Sequence, residues 1–265
     1  MKPLSDCPTT TLAAIRGVLT DIDETVSTEG RLTAEAYGAL EALKEAGLLV
    51  IPVTGRPAGW CDMVARFWPV DAVVGENGAF WMWHDPKAAK LRTRFIQSEV
   101  ERADGRRRLE AVRTDVLREV PGAGIASDQP YRLADLAIDF CEDVPPLPRA
   151  DVERIVAVFE RHGAHAKVSS IHVNGWFGDY DKLTTSKAMM AELFGVDLGV
   201  EAERYVFSGD SPNDAPMFGF FPNGVGVANV RDFAGTMMAL PRWVTRARSG
   251  AGFVELARAL IAARS

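Results

Sequence analysis

DIDET, at residues 21–25, follows closely on an apolar run at residues 15–19 that contains one arginine. Such a run predicts a buried strand of a parallel sheet, and open α/β sheets bind ligands at the carboxyl ends of their strands. Two carboxylates at that position, Asp21 and Asp23, need a cation or a shared proton. A divalent cation with oxygen ligands is the natural partner. By itself, the motif is equally compatible with a solvated acidic turn.

Two later apolar runs also end in polar motifs, TGR at residues 54–56 and GDSPND at residues 209–214. The ends of parallel strands share one edge of a sheet, so Asp210 and Asp214 are expected beside the first aspartate pair. Carboxylates crowded in this way destabilise a fold unless a cation neutralises them. The coincidence of three motifs therefore favours a metal site over a solvated turn.

Groups that suit an anion are predicted at the same edge. Thr54 and Gly55 offer a hydroxyl and backbone N–H groups at a helix start, and Lys182 precedes another predicted helix. Asp181 is a candidate N-cap, which places Lys182 in the first turn. Lys187 lies about 7.5 Å further along the axis and is turned by about 140°. It falls at the edge of the apolar stripe formed by Leu183, Met190 and Phe194. Carboxylates, a divalent cation, an anion site and a lysine together indicate phosphoryl transfer.

The order of predicted elements divides the chain into two units. Strands alternate with helices up to residue 81 and again after residue 178, which predicts an α/β fold with a doubly wound, Rossmann-like parallel sheet. Residues 82–178 contain strands and helices without that alternation. We therefore expect residues 1–81 and 179–265 to form the core, and residues 82–178 to form an inserted α+β cap.

DIDET, VTGR (residues 53–56), a lysine before a helix and GDSPND stand in the order of the four motifs of the haloacid dehalogenase (HAD) superfamily, which this sequence resembles. The insert, together with GENGAF at residues 75–80, resembles type IIB members. These include Cof-like sugar phosphatases, sucrose-phosphate phosphatase, mannosyl-3-phosphoglycerate phosphatase and phosphomannomutase. The motifs are specific for the superfamily and only weakly specific for a substrate. Glu24 is a departure, because many members have glycine there.

The resemblance implies a role for each matching residue. Asp21 would be the nucleophile that forms an aspartyl-phosphate, and Asp23 would protonate the leaving oxygen and then activate water. The ligands of Mg²⁺ would be Asp21, Asp23 through its main-chain carbonyl, and Asp210, with Asp214 fixing the metal from behind. The groups that hold the phosphoryl oxygens would be Thr54, Gly55, Lys182 and Asn213.

Several other residues allow two interpretations. Asn77 follows the third predicted strand, so it either faces the crevice and binds substrate or occupies a turn with positive φ. His172 and Trp176 lie near the return from the cap to the core, where either could face substrate. Arg56 is predicted to be an ion-pair partner at a helix start. The four histidines lack the spacing of zinc ligands.

Composition narrows the possible function. The net charge of −6 argues against a nucleic-acid partner, and no apolar run is long enough to cross a bilayer. The sequence MKPLSDCPTT lacks the apolar core of a signal peptide, and three widely spaced cysteines indicate reduced thiols. We therefore expect a cytoplasmic protein without a membrane partner; the pattern does not predict its oligomeric state.

The combined expectation is an Mg²⁺-dependent phosphatase that acts on a small phosphorylated metabolite. That the metabolite is a sugar phosphate is implied by the resemblance alone. Two alternatives remain open: a phosphomutase of the phosphomannomutase type, which needs the same aspartate pair, and a non-catalytic binding protein on the same fold.

Overall fold

A computed structural model describes residues 1–169 and 171–264. Its central sheet has six strands, and every neighbouring pair is parallel. The strands are, in spatial order, Lys2–Pro3, Trp243–Val244, Val225–Gly226, Tyr205–Gly209, Gly17–Thr20 and Leu49–Pro52. The predicted α/β class and doubly wound core are therefore confirmed.

The sheet is buried on both faces because its strands are apolar at successive positions. Val18 and Leu19 are both fully buried, although neighbouring side chains of a strand point to opposite faces. The helices packed on the Val18 face are Thr9–Ala14, Ala34–Glu45 and Ser249–Ala262. Those on the Leu19 face are Lys182–Phe194, Leu198–Glu201 and Ala215–Phe220.

Two helices of the core begin at side chains that cap them, and one of these, Asp181, is the predicted N-cap. The Thr33 side chain accepts a hydrogen bond from the N–H of Ala36 at 3.2 Å. Asp181 accepts one from the N–H of Thr184 at 2.6 Å, and the Thr184 hydroxyl in turn accepts one from the N–H of Asp181. Asp181 is thus the N-cap, which places Lys182 at the first helical position.

The third predicted strand pairs differently from the expectation. Val73–Gly75 meets the parallel sheet through a single bridge, between Val74 and Val53. It pairs antiparallel with Phe80–Asp85, which pairs in turn with Lys90–Phe95. The reversal occurs at Glu76–Gly78, where all three residues have positive φ. The division of the chain at residue 82 stays a prediction, but this hairpin continues a core strand.

The cap has its own sheet and its own apolar core. The strands of the antiparallel cap sheet are, in spatial order, Gly124–Ile125, Leu136–Asp139, His172–Trp176 and His165–Val168. Two helices, Glu99–Glu119 and Arg149–Arg161, pack against it around buried residues such as Phe159. The helix Ala58–Phe67 packs against the hairpin. In the described part of the chain, no helix is both long and apolar enough to cross a membrane.

Candidate active site

Two neighbouring strands carry the predicted acidic motifs to one edge of the sheet. Asp21 follows Gly17–Thr20 and Asp210 follows Tyr205–Gly209, and the N–H of Asp21 donates to the carbonyl of Ser208 at 2.8 Å. Carboxylate oxygens of Asp21, Asp210 and Asp214 lie within 4.8 Å of one another, and all three residues are buried. The structure thus brings together three of the four predicted aspartate side chains.

The electrostatics of this triad favour a cation. Burial, followed by the charges of Asp214 and Asp21, raises the pKa of Asp210 to about 9. Burial also raises the pKa of Asp21 to about 7, although Lys182 opposes the shift. Carboxylates that resist ionisation because they are buried and crowded by like charges are the donors that a divalent cation would stabilise. The triad therefore fits Mg²⁺ in its chemistry and its compactness.

Lys182, and not Lys187, lies at the triad. Its Nζ is 3.0 Å from a carboxylate oxygen of Asp21 and 3.0 Å from one of Asp214. Burial lowers the pKa of Lys182, but the two carboxylates outweigh that effect and hold the pKa above its ordinary value. The Nζ of Lys187 lies 3.9 Å from the ring centroid of Phe220 instead.

Asp214 is held tightly behind the other two aspartates. Its second oxygen accepts hydrogen bonds from the N–H groups of Asp210, at 3.0 Å, and Ser211, at 3.4 Å. A Cβ atom at residue 209 would collide with that oxygen, so Gly209 allows the carboxylate to lie against the strand end. The close approach requires a residue without a side chain.

Asp23 lies outside the triad and is held by Arg56. The Arg56 Nε is 3.0 Å from both carboxylate oxygens of Asp23, and Nη2 is 2.8 Å from one of them. Arg56 thus makes an ion pair, with Asp23 itself as the partner. The backbone N–H of Arg56 donates to the Thr54 hydroxyl oxygen at 3.0 Å, so this N–H is not free for an anion. The N–H of Gly55 has no acceptor among the described residues.

A cavity of about 500 Å³, partly open to solvent, lies between core and cap at these residues. The predicted site residues that line it are Asp21, Asp23, Gly55, Asn77, Asp210 and Asn213. Thr54 lines an adjoining apolar cavity, and Lys182 a third cavity that Asn77 and Asn213 also border.

Asn77 both occupies a turn with positive φ and faces the crevice, the two alternatives considered for it. Its φ is 55°, and its side chain lines the cavity. The Nδ2 of Asn77 is buried and finds no acceptor in the described ranges. Buried donors are nearly always hydrogen-bonded, so this group is suited to an oxygen of a ligand.

The comparisons with known proteins rest on structure alone, since no family model and no curated protein matches the chain. The C-terminal domain of trehalose-6-phosphate phosphatase from C. albicans matches with a TM-score of 0.73 and 12% identity, covering 99% of this chain and 98% of that one. A HAD/COF-like hydrolase from Plasmodium vivax matches with a TM-score of 0.67 and 16% identity, covering 96% and 98%. Sucrose-phosphatase from Synechocystis, in complex with sucrose and phosphate, matches with a TM-score of 0.64 and 13% identity, covering 93% and 98%. The chain has the haloacid dehalogenase fold.

The predicted resemblance to type IIB members of the HAD superfamily is confirmed at the level of the fold. Cof-like hydrolases and sucrose-phosphatase were among the members named for it, and both types appear among the matching structures. Each match covers the insert as well as the core. At these identities the likeness establishes the architecture and leaves activity and substrate to the chemistry of the site.

Glu24 has a backbone conformation that is typical of glycine. Its φ is 53°, a conformation that glycine adopts most readily. The Ser249 hydroxyl donates to its carboxylate at 3.0 Å, and Asn229 Nδ2 donates to its carbonyl at 2.9 Å. These bonds hold the loop after Asp23 in place, and the Ser249 hydroxyl stabilises the Glu24 carboxylate.

Asn229 is a site residue that the sequence analysis missed. Its Nδ2 is also 3.0 Å from the second oxygen of Asp210. Asn229 follows the strand Val225–Gly226, and residues that follow parallel strands lie at this edge of the sheet. The reasoning that predicted the aspartates there therefore also predicts Asn229.

The cap contributes the other missed residues. Its polar side chains that line the cavity are Arg132, Lys167, Ser169, His172 and Asn174. Of these, only His172 was singled out beforehand; burial lowers its pKa, and its Nε2 is 2.8 Å from Glu142. Trp176 borders the cavity at Lys182 and stacks on Tyr180 at 5.8 Å. Since the rest face the core only through the docking of the cap, the sequence carries no local signal for them.

Proposed function

We propose that the protein is an Mg²⁺-dependent phosphatase that hydrolyses a small phosphorylated metabolite through an aspartyl-phosphate on Asp21. The observation that carries the proposal is the contact of one buried lysine, Lys182, with two members of an aspartate triad at a sheet edge. A carboxylate approaches a phosphate dianion only where positive charge compensates both. A sugar phosphate is the favoured substrate, because matching structures include sucrose-phosphatase and trehalose-6-phosphate phosphatase.

The residues that would hold Mg²⁺ are Asp21 and Asp210 through their carboxylates and Asp23 through its main-chain carbonyl, with Asp214 behind them. When bound, the cation would neutralise charge on the phosphoryl oxygens and keep Asp21 ionised.

The residues of the chain divide the reaction between them. Asp21 attacks phosphorus, while Asp23 gives a proton to the leaving oxygen as the P–O bond breaks. Asp23 then takes a proton from the water that cleaves the aspartyl-phosphate. Asn77 Nδ2 and the N–H of Gly55, both without acceptors among the described residues, are donors for the phosphoryl oxygens. The cap covers the cavity above them and limits the access of bulk water.

A panel of phosphate esters assayed with Mg²⁺ and detection of inorganic phosphate tests the proposal. Phosphate release that stops with EDTA and returns with Mg²⁺ is the expected result. Isomerisation with little free phosphate would indicate a mutase, and the absence of turnover across the panel would indicate a binding protein.

A further inference from the structure

Arg56 joins the core and the cap at the cavity between them. Its guanidinium donates to both oxygens of Asp23 in the core. On the cap side, its Nη1 lies 3.9 Å from a carboxylate oxygen of Asp128 and 4.0 Å from one of Glu142. One cation is therefore shared between the predicted acid–base residue and two carboxylates of the cap.

Arg56 determines how Asp23 is oriented. It supplies every hydrogen bond that the described residues make to the Asp23 carboxylate. The Asp23 side chain is 28% exposed, so without this contact it has room to change rotamer. Arg56 itself is buried, with its guanidinium carbon 4.4 Å from the ring centroid of Trp60. A planar fork held on one face by a ring is a rigid donor.

One of the two cap carboxylates is in turn held by the cap, since Asp128 accepts two hydrogen bonds from Arg132, at 3.0 and 3.1 Å. Glu142 lies 2.8 Å from the His172 Nε2 without a hydrogen bond to it. Arg132 also donates to the carbonyl of Gly55 at 3.0 Å, next to Arg56 in the chain. On the cap side of Arg56, Asp128 is therefore preorganised by Arg132.

We propose that Arg56 is a positioning residue through which closure of the cap orients Asp23. With the cap closed, Asp128 and Glu142 fix the guanidinium, and the guanidinium fixes the carboxylate that exchanges protons with the leaving group and with water. With the cap open, Arg56 keeps Asp23 and the Trp60 ring but loses both cap carboxylates, so the guanidinium and the carboxylate that it holds are less firmly fixed. Arg56 exchanges no proton itself. The inference rests on the proposed phosphatase function.

Two aryl esters of similar size separate this role from a purely structural one. p-Nitrophenolate leaves without protonation, whereas phenolate from phenyl phosphate is a poorer leaving group that needs the acid. We therefore expect Arg56→Ala to lower kcat/KM for phenyl phosphate by about 10²-fold and to lower kcat/KM for p-nitrophenyl phosphate much less, because kcat/KM includes the phosphorylation of Asp21 but not the later hydrolysis. The same variant should still release a first-turnover burst of p-nitrophenol, because only the later hydrolysis of the phosphoenzyme needs Asp23. Arg56→Lys should recover part of the loss.

The cap side has its own variant and a matched control. Glu142→Gln should lower the ratio of kcat/KM for phenyl phosphate to kcat/KM for p-nitrophenyl phosphate by about 3- to 10-fold, a part of the full acid–base effect. Glu153→Gln, at an exposed position of a cap helix where Glu153 pairs with Arg149 at 2.8 Å, should leave that ratio unchanged. Equal losses of kcat/KM for both esters in the Arg56 variants, or an unchanged ratio of kcat/KM in Glu142→Gln, would overturn the inference while leaving the phosphatase proposal standing. A wild-type protein that hydrolyses neither ester with Mg²⁺ would overturn both.

Discussion

The Nζ of Lys182 lies 3.0 Å from Asp21, a residue 161 positions away in the chain. The same nitrogen is 3.0 Å from Asp214, so one ammonium group offsets two carboxylates that are almost completely buried. An isolated buried charge is strongly unfavourable, and this arrangement is tolerated because each group is paired. It also leaves Asp210 without a cation from the described residues, since Asp210 bonds only to neutral donors.

Alanine substitutions should distinguish the roles of Lys182 and Lys187 in the helix Lys182–Phe194. Lys182→Ala is expected to lower turnover by at least about 10²-fold, because one electrostatic donor at a reaction centre contributes on that scale. Lys187→Ala should change turnover by less than about threefold, since a cation–π contact at a partly exposed site contributes little. Steady-state kinetics with p-nitrophenyl phosphate measure both, with circular dichroism as the control for folding. A larger loss in the Lys187 variant would contradict the assignment.

Substitutions of Asp21 and Asp23 should impair different steps of the reaction. Asp21→Asn removes the nucleophile, so no covalent phosphoenzyme should form. Asp23→Asn keeps the nucleophile and loses the proton exchange, so an activated ester should still phosphorylate the protein, which then hydrolyses slowly. Rapid quench followed by intact-protein mass spectrometry would detect the adduct of about 80 Da. An adduct in Asp21→Asn would show that the nucleophile is misassigned.

Stability without metal should fall as the pH rises. The unfolded aspartates titrate near about 4, whereas Asp21 and Asp210 have folded-state pKa values of about 7 and about 9. Between these limits the folded state binds more protons than the unfolded state, so the stabilising contribution is lost as the pH passes from about 4 to about 9. Thermal melts in EDTA should show this trend, and Asp210→Asn should reduce its slope. Mg²⁺ should raise Tm more at pH 8 than at pH 5; the opposite order would argue against carboxylate ligands.

Glu76 should be essential for the connection of cap to core. Its carboxylate accepts hydrogen bonds from the N–H of Ala58 in the core, and from those of Leu133, Ala134 and Asp135 in the cap, at 2.6–3.1 Å. Glu76→Gln turns one acceptor oxygen into a donor that faces N–H groups. We expect it to lower the free energy of unfolding by about 2–4 kcal/mol, since each buried unsatisfied group costs about 1–3 kcal/mol.

An exposed acid of the cap is the control for that measurement. Glu110 pairs with Arg113 at 3.4 Å on the surface of the longest cap helix. Glu110→Gln should change the free energy of unfolding by less than about 0.5 kcal/mol. Urea unfolding of both variants measures the difference, and equal stability of the two would show that Glu76 is not a connecting residue.

The motifs at the strand ends were predictable because their placement follows from local patterns. Once residues 15–19 are recognised as a buried strand, the hand and direction of a parallel sheet place Asp21 at the same edge as Asp210. The N-cap at Asp181 is likewise local, and it selects Lys182 over Lys187 before any tertiary contact is known. Asn229 was predictable in the same way, because it follows the neighbouring strand Val225–Gly226.

The sequence by itself therefore determined the α/β core, the edge at which the aspartates gather and the lysine that accompanies them. Only the tertiary structure decided that Arg56 binds Asp23, that Glu76 holds the cap segment and that the cap supplies Arg132. These contacts depend on how two separately packed units dock, and docking is set by the shape and charge of whole surfaces. Periodicity and spacing within one segment do not predict these contacts, because the partners are brought together by elements far apart in the chain.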